Sequence, residues 1–120
     1  MKTVYLFWIF ILCNSVSAQE QLNEIDLQKY LNKEVQYCDQ VFGTFVTKGE
    51  KQVILLNLGA EYPNHMLVVA IFQDNWKNFD YKPEEFLKNK TICVKGKLVL
   101  YKGKPEIIVK YPKQISLKEE

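Results

Sequence analysis

The chain has 120 residues, 48% of them apolar and 25% charged, and carries a formal charge of +2. That length suits one small domain with a modest core, and the near-even balance excludes binding that rests on net charge alone. Every basic residue is lysine, which excludes the bidentate guanidinium contacts that read guanine or clamp phosphate.

Lys2 is followed by an apolar run over residues 4–12, then by Asn14-Ser15 and Val16-Ser17-Ala18. This pattern predicts a signal peptide over residues 1–18, cleaved after Ala18. The run is shorter than the ~20 residues a membrane span needs, and Leu12 is large for lipid attachment at Cys13. An exported protein, periplasmic or secreted and without stable membrane insertion, is expected. Loss of Cys13 leaves Cys38 and Cys93, and these with His65 are too few for a zinc site of about four ligands. Two cysteines in an exported domain point to a disulfide; the alternative is two separate buried thiols.

Residues 19–31 read as a polar lead-in, with Ile25, Leu27, Tyr30 and Leu31 packing on a domain over residues 32–117. Residues 34–46 predict a long strand with Val35, Tyr37, Val41 and Gly43 on one side and Gln36, Cys38, Gln40, Phe42 and Thr44 on the other. Gly43 inside that run signals a bend or bulge. Lys48-Gly49-Glu50-Lys51 is a hairpin turn, residues 53–58 a second strand, and residues 59–65 a loop reversing at Pro63-Asn64. Residues 66–72 form a third strand.

Trp76 and Phe79 sit one helical turn apart, and residues 83–88 predict a short helix with proline in its first turn and Asn89 at its end. Trp76, Phe79, Phe86 and Leu87 read as a plug. Residues 91–101 alternate strictly: Ile92, Val94, Gly96, Leu98 and Leu100 face in, while Thr91, Cys93, Lys95, Lys97, Val99 and Tyr101 face out. Residues 106–111 form the fifth strand, Pro112 ends its ladder, and Ile115 and Leu117 dock on it.

Five strands with a short helix between the third and fourth match an all-β architecture, the five-stranded OB-fold Greek-key barrel, which binds oligonucleotides and oligosaccharides. The chain also resembles a family of small exported bacterial OB-fold proteins described as nucleic-acid-binding-like. The resemblance spans residues 32–115. It lies in Val35-Gln36-Tyr37-Cys38, in Leu56-Asn57-Leu58-Gly59 running into Tyr62-Pro63-Asn64, in Lys90-Thr91-Ile92-Cys93-Val94-Lys95-Gly96-Lys97, and in Leu100-Tyr101-Lys102-Gly103-Lys104-Pro105. Asp39 stands where the family tends to have glycine and Glu106 where it tends to have glutamine, and both add negative charge near possible ligand surfaces.

An OB-fold binds through its second and third strands with the loops joining strands one to two and four to five. Here those loops carry Lys48, Lys51, Lys102 and Lys104. They would straddle a phosphate backbone while Tyr62, Phe72 and Tyr101 stack bases. The expected site is therefore Lys48, Lys51, Tyr62, Tyr101, Lys102 and Lys104, with little sequence preference because lysine lacks a guanine-reading fork. Strands one and four are neighbours in this fold and Cys38 and Cys93 project from the same side, which favours their pairing. A metal-dependent nuclease of related fold needs grouped carboxylates and cations on phosphate. The acids here are scattered, Glu84 and Glu85 are explained by the helix start, and His65 reads as a surface or turn residue. Asn89-Lys90-Thr91 fits a glycosylation acceptor but reads as chance in a bacterial setting. The expected function is non-catalytic, without cofactor or metal: weak binding of single-stranded nucleic acid or another polyanion. The alternative is a small ligand or protein partner on the same face.

Overall fold

The computed structural model describes residues 27–118, so the signal-peptide reading and most of the lead-in lie outside the described residues. Strands β1 (Glu34–Val46), β2 (Val53–Leu58) and β3 (Leu67–Phe72) come first. A single helical turn α1 (Pro83–Phe86) precedes β4 (Thr91–Tyr101), β5 (Lys104–Ile108) and β6 (Ile115–Leu117).

The strands run in the order β1-β2-β3-β5-β4, and a further β1–β4 pairing closes five of them into a ring. Closure depends on the length of β1. Its first half pairs with β4 from Glu34↔Lys97 to Gln40↔Thr91, and its second half pairs with β2 from Val41↔Leu58 to Val46↔Ile54. The β3–β5 pair is parallel; the other pairs are antiparallel. A closed ring leaves no open edge among its members.

The core fills the ring. Val41, Leu56, Leu58, Leu67, Val69, Ile71, Leu87, Ile92, Val94, Leu98, Ile107 and Val109 are fully buried, each larger side chain stabilising by roughly 1.5–3 kcal/mol. Gly96 has no side chain because Ile107 Cγ2 lies 2.7 Å from where its Cβ would stand. Leu87 plugs the ring, and Trp76 and Phe79 pack against the core from a 3-10 turn. Phe86 is not part of that plug: it is exposed, with the Lys90 ammonium 4.6 Å from its ring centroid.

Three boundaries differ from the sequence reading. The helix ends at Phe86 because the Leu87 amide makes the last bond of its ladder, to the Pro83 carbonyl, and the Asn89 amide donates instead to the Val41 carbonyl on β1 at 2.8 Å. β5 begins at Lys104, because Lys102-Gly103 is a two-residue turn with both φ values positive, 51° and 82°, which suits the twist of the flanking strands. Tyr101↔Lys104 closes that turn, so the next pair, Leu100↔Pro105, exchanges no ladder hydrogen bonds and tolerates proline. Residues 115–117 do more than dock: they form β6, antiparallel to β4, with Cys93 opposite Ser116.

Cys38 and Cys93 are register partners across the β1–β4 seam, and their sulfurs are bonded at 2.03 Å. The bond spans a sequence separation of 55 and lies on the outer face of the ring, where both residues are half-buried.

Candidate functional site

The outer face of β1 changes phase midway. Its register with β2 slips between Val41 and Gly43, a bulge with Phe42 as the extra residue. Beyond the bulge, Thr44 opposes Leu56 and Val46 opposes Ile54, so these face inward while Gly43 and Phe45 face out opposite Asn57 and Leu55. Uninterrupted alternation puts Gly43 inward and Thr44 outward; one inserted residue inverts every later side chain.

That inversion builds one wall of a groove of about 710 Å³. Gly43, Phe45, Leu55 and Asn57 line it from β1 and β2, Val68 from β3 and Glu106 from β5. Glu61, Tyr62, Pro63 and His65 close it from the β2–β3 loop, and Tyr101, Lys102 and Lys104 from the β4–β5 hairpin. Three aromatic rings stand on it with large exposed areas: Tyr62 at 76%, Phe45 at 56% and Tyr101 at 55%.

Tight local contacts hold these rims. The Lys104 ammonium donates to the Pro63 and His65 carbonyls at 3.1 and 3.2 Å, tying the β2–β3 loop to β5. Tyr62 stacks on His65 with centroids 5.7 Å apart. The Lys102 ammonium lies 5.3 Å from the Tyr101 ring centroid. At the loop start, Gly59 is required twice over: its φ is +94°, and a Cβ would come within 2.7 Å of Met66 Cγ.

The groove floor holds two buried polar side chains, His65 and Glu106, each 6% exposed. His65 is thus not a surface residue; the clamped loop folds it under Tyr62. Its Nδ1 is buried without a hydrogen-bond partner among the described residues. Burial, and then the Lys104 charge, hold its pKa below the ordinary imidazole value, so it is neutral at pH 7. Glu106 opposes Val99 on β4 and Val68 on β3. Burial pushes its carboxyl above the usual carboxylate range, and among the described residues no cation or donor offsets the lost hydration.

Of the six expected site residues, Tyr62, Tyr101, Lys102 and Lys104 share this groove. Lys48 and Lys51 are exposed on the β1–β2 turn and do not line it. Phe72, also expected as a platform, is exposed at the end of β3 and outside it. Lys104 is a clamp as much as a free cation. Asp39 also lies elsewhere, its carboxylate accepting from the Tyr37 hydroxyl at 2.7 Å. Phe45, outside the expected set, is exposed only because of the bulge, which no alternation pattern marks. A second hollow, of about 540 Å³, lies by α1 between Trp76, Phe79 and Tyr81 and holds none of the expected residues. Among the described residues no three of His, Cys, Asp and Glu gather as a metal site, and no helix is long and apolar enough to cross a membrane.

No family model matches the chain, and no curated protein matches it. It is similar to a solved structure assigned as an aspartyl-tRNA synthetase from Leishmania major Friedlin, at 12% identity and a TM-score of 0.49. The likeness covers 89% of this chain and 22% of that protein, so this chain spans about a fifth of its length. A likeness this distant says nothing about activity.

Proposed function

We propose that this protein is an exported, non-catalytic OB-fold module that binds single-stranded nucleic acid weakly in the groove over β1, β2, β3 and β5. The observation that carries the reading is the convergence of Tyr62, Phe45 and Tyr101 on one groove, all largely exposed. Exposed rings are costly to hydrate, and bases stacked on such platforms contribute ~1–3 kcal/mol each. Lys102 supports it further: a lysine held at positive φ is strained, and strain of this kind is tolerated where the side chain is needed. Lys48 and Lys51 serve phosphates farther along the strand. The ring order, with its parallel β3–β5 pair and α1 between β3 and β4, supports assignment to the OB-fold. The half-buried disulfide fits an oxidising compartment outside the cytoplasm.

Titration of oligothymidine against salt tests this reading. Binding should weaken with a log–log slope of ~0.7 per phosphate contact. Tyr62→Ala and Tyr101→Ala should each lose ~1–3 kcal/mol of binding without loss of fold. Absence of binding at low salt would remove the proposal. The second reading, a small ligand or protein partner, draws on Glu61 and Glu106, which offset Lys102 and Lys104 within the groove. Salt-insensitive binding would favour it.

A further inference from the structure

We propose that the groove prefers guanine among the bases stacked in it, through the Glu106 carboxylate on its floor. The inference rests on the single-strand reading above and adds base selectivity to it. Glu106 faces outward on β5, beside the exposed Tyr62 and Tyr101 rings, yet it is almost fully buried. Among the described residues, the charged groups around it leave it unpaired. Lys104, on the same strand, is turned to the Pro63 and His65 carbonyls. Lys102 lies over the Tyr101 ring. His65, from the β2–β3 loop, is neutral, and Glu61 on that loop carries the same sign as Glu106. Burial alone acts on the Glu106 carboxyl.

A carboxylate with little solvent contact and no protein partner gains from N–H donors that reach it. It best accepts two parallel N–H bonds. On its pairing edge guanine presents N1–H and the N2 amine side by side. Adenine and cytosine set one amine beside a bare acceptor, and thymine sets one N–H between two carbonyls. Only guanine therefore satisfies both oxygens, and the others bring a lone pair against the carboxylate. An arginine side chain offers the same pair of donors. It brings no anion for Lys102, however, whereas a nucleotide carries its phosphate one sugar away.

The test compares thymidine hexamers carrying one central guanine, hypoxanthine or adenine. Hypoxanthine lacks only the N2 amine. The wild-type protein should bind the guanine hexamer about tenfold or more tightly than the other two. Glu106→Gln should erase the gap between guanine and hypoxanthine, and the plain thymidine hexamer should bind more tightly, because the stacking rings remain and the amide no longer repels the thymine carbonyls or the phosphates. A second readout needs no variant: the Glu106 carboxyl, followed by ¹³C NMR, should titrate at lower pH with the guanine hexamer bound and be unmoved by the thymidine hexamer. Equal affinity for guanine and hypoxanthine, with Tyr62→Ala still weakening both, would overturn the selectivity and leave the stacking reading intact. No binding of any hexamer would end both. Tighter binding of an arginine-bearing peptide than of the guanine hexamer, lost in Glu106→Gln, would overturn the guanine assignment in favour of a protein partner.

Discussion

Lys104 reaches across 39 residues of chain to donate from its ammonium to the His65 carbonyl at 3.2 Å. This single contact, with its companion to Pro63, turns a Pro-Asn reversal into a fixed wall and drives an imidazole into the protein. It also places a positive charge beside that imidazole, which explains part of the depressed His65 pKa.

Lys104→Met should therefore raise the His65 pKa toward, but not to, the ordinary 6.5, because burial, the larger cause, remains. A histidine with a lowered folded pKa leaves the unfolded chain binding more protons in the window below 6.5, so its contribution to stability is lost as pH falls through that window. The window should narrow in the variant. NMR titration of the single histidine measures this directly. The loss of two hydrogen bonds should also destabilise the fold by about 1 kcal/mol.

Glu106 carries the opposite pH dependence. Its folded pKa lies above the usual carboxylate value, so the folded protein holds the proton longer, and stability falls as pH rises from 4.5 through the folded pKa. Glu106→Gln should be more stable than wild type at pH 7, with the difference vanishing below pH 4.5. Chemical denaturation at several pH values reads this, and equal stability throughout would show that the carboxyl is not strained by burial. A side chain that destabilises its own fold at the floor of a groove is what a stability–function trade-off predicts.

Removal of the disulfide by Cys38→Ala with Cys93→Ala should lower stability by about 4 kcal/mol, the chain-entropy value for a loop of this length. The effect should appear as a lower denaturation midpoint, with the wild type showing no free thiol at these two positions. The bond crosses the β1–β4 seam, and β4 also carries β5 and β6, so the loss should be felt as global unfolding rather than local fraying.

Lys102→Asn separates fold from function at the β4–β5 turn. Asparagine accepts positive φ more readily than lysine, so the variant should gain up to ~1 kcal/mol of stability. It also removes one phosphate contact, and the salt slope of oligothymidine binding should fall by ~0.7. Higher stability with unchanged salt dependence would show that Lys102 serves only the turn.

Much of the frame is legible from residues alone. The alternation of Ile92, Val94 and Leu98 against Thr91, Cys93 and Lys95 is a period-two pattern that admits only a half-buried strand, and the observed burial follows it as far as Leu98. Leu100 breaks it, exposed where β4 runs out toward the hairpin. The pairing of Cys38 with Cys93 was reachable through the strand order. Phe45 and His65 were not legible. Phe45 is outward only because of a bulge, and His65 is buried only because a lysine distant in sequence pins its loop.

Alternation and turn residues mark the five strands of the ring and the reversals between them, though not the start of β5 at Lys104 or the pairing of residues 115–117 as β6. These follow from local sterics and hydrophobic periodicity, which act over a few residues. Which side chains meet in the groove, and the burial of Glu106 in the same groove as Tyr62 and Tyr101, are set by contacts across the fold. Register and charge compensation depend on contacts between residues tens of positions apart, and no local pattern encodes them.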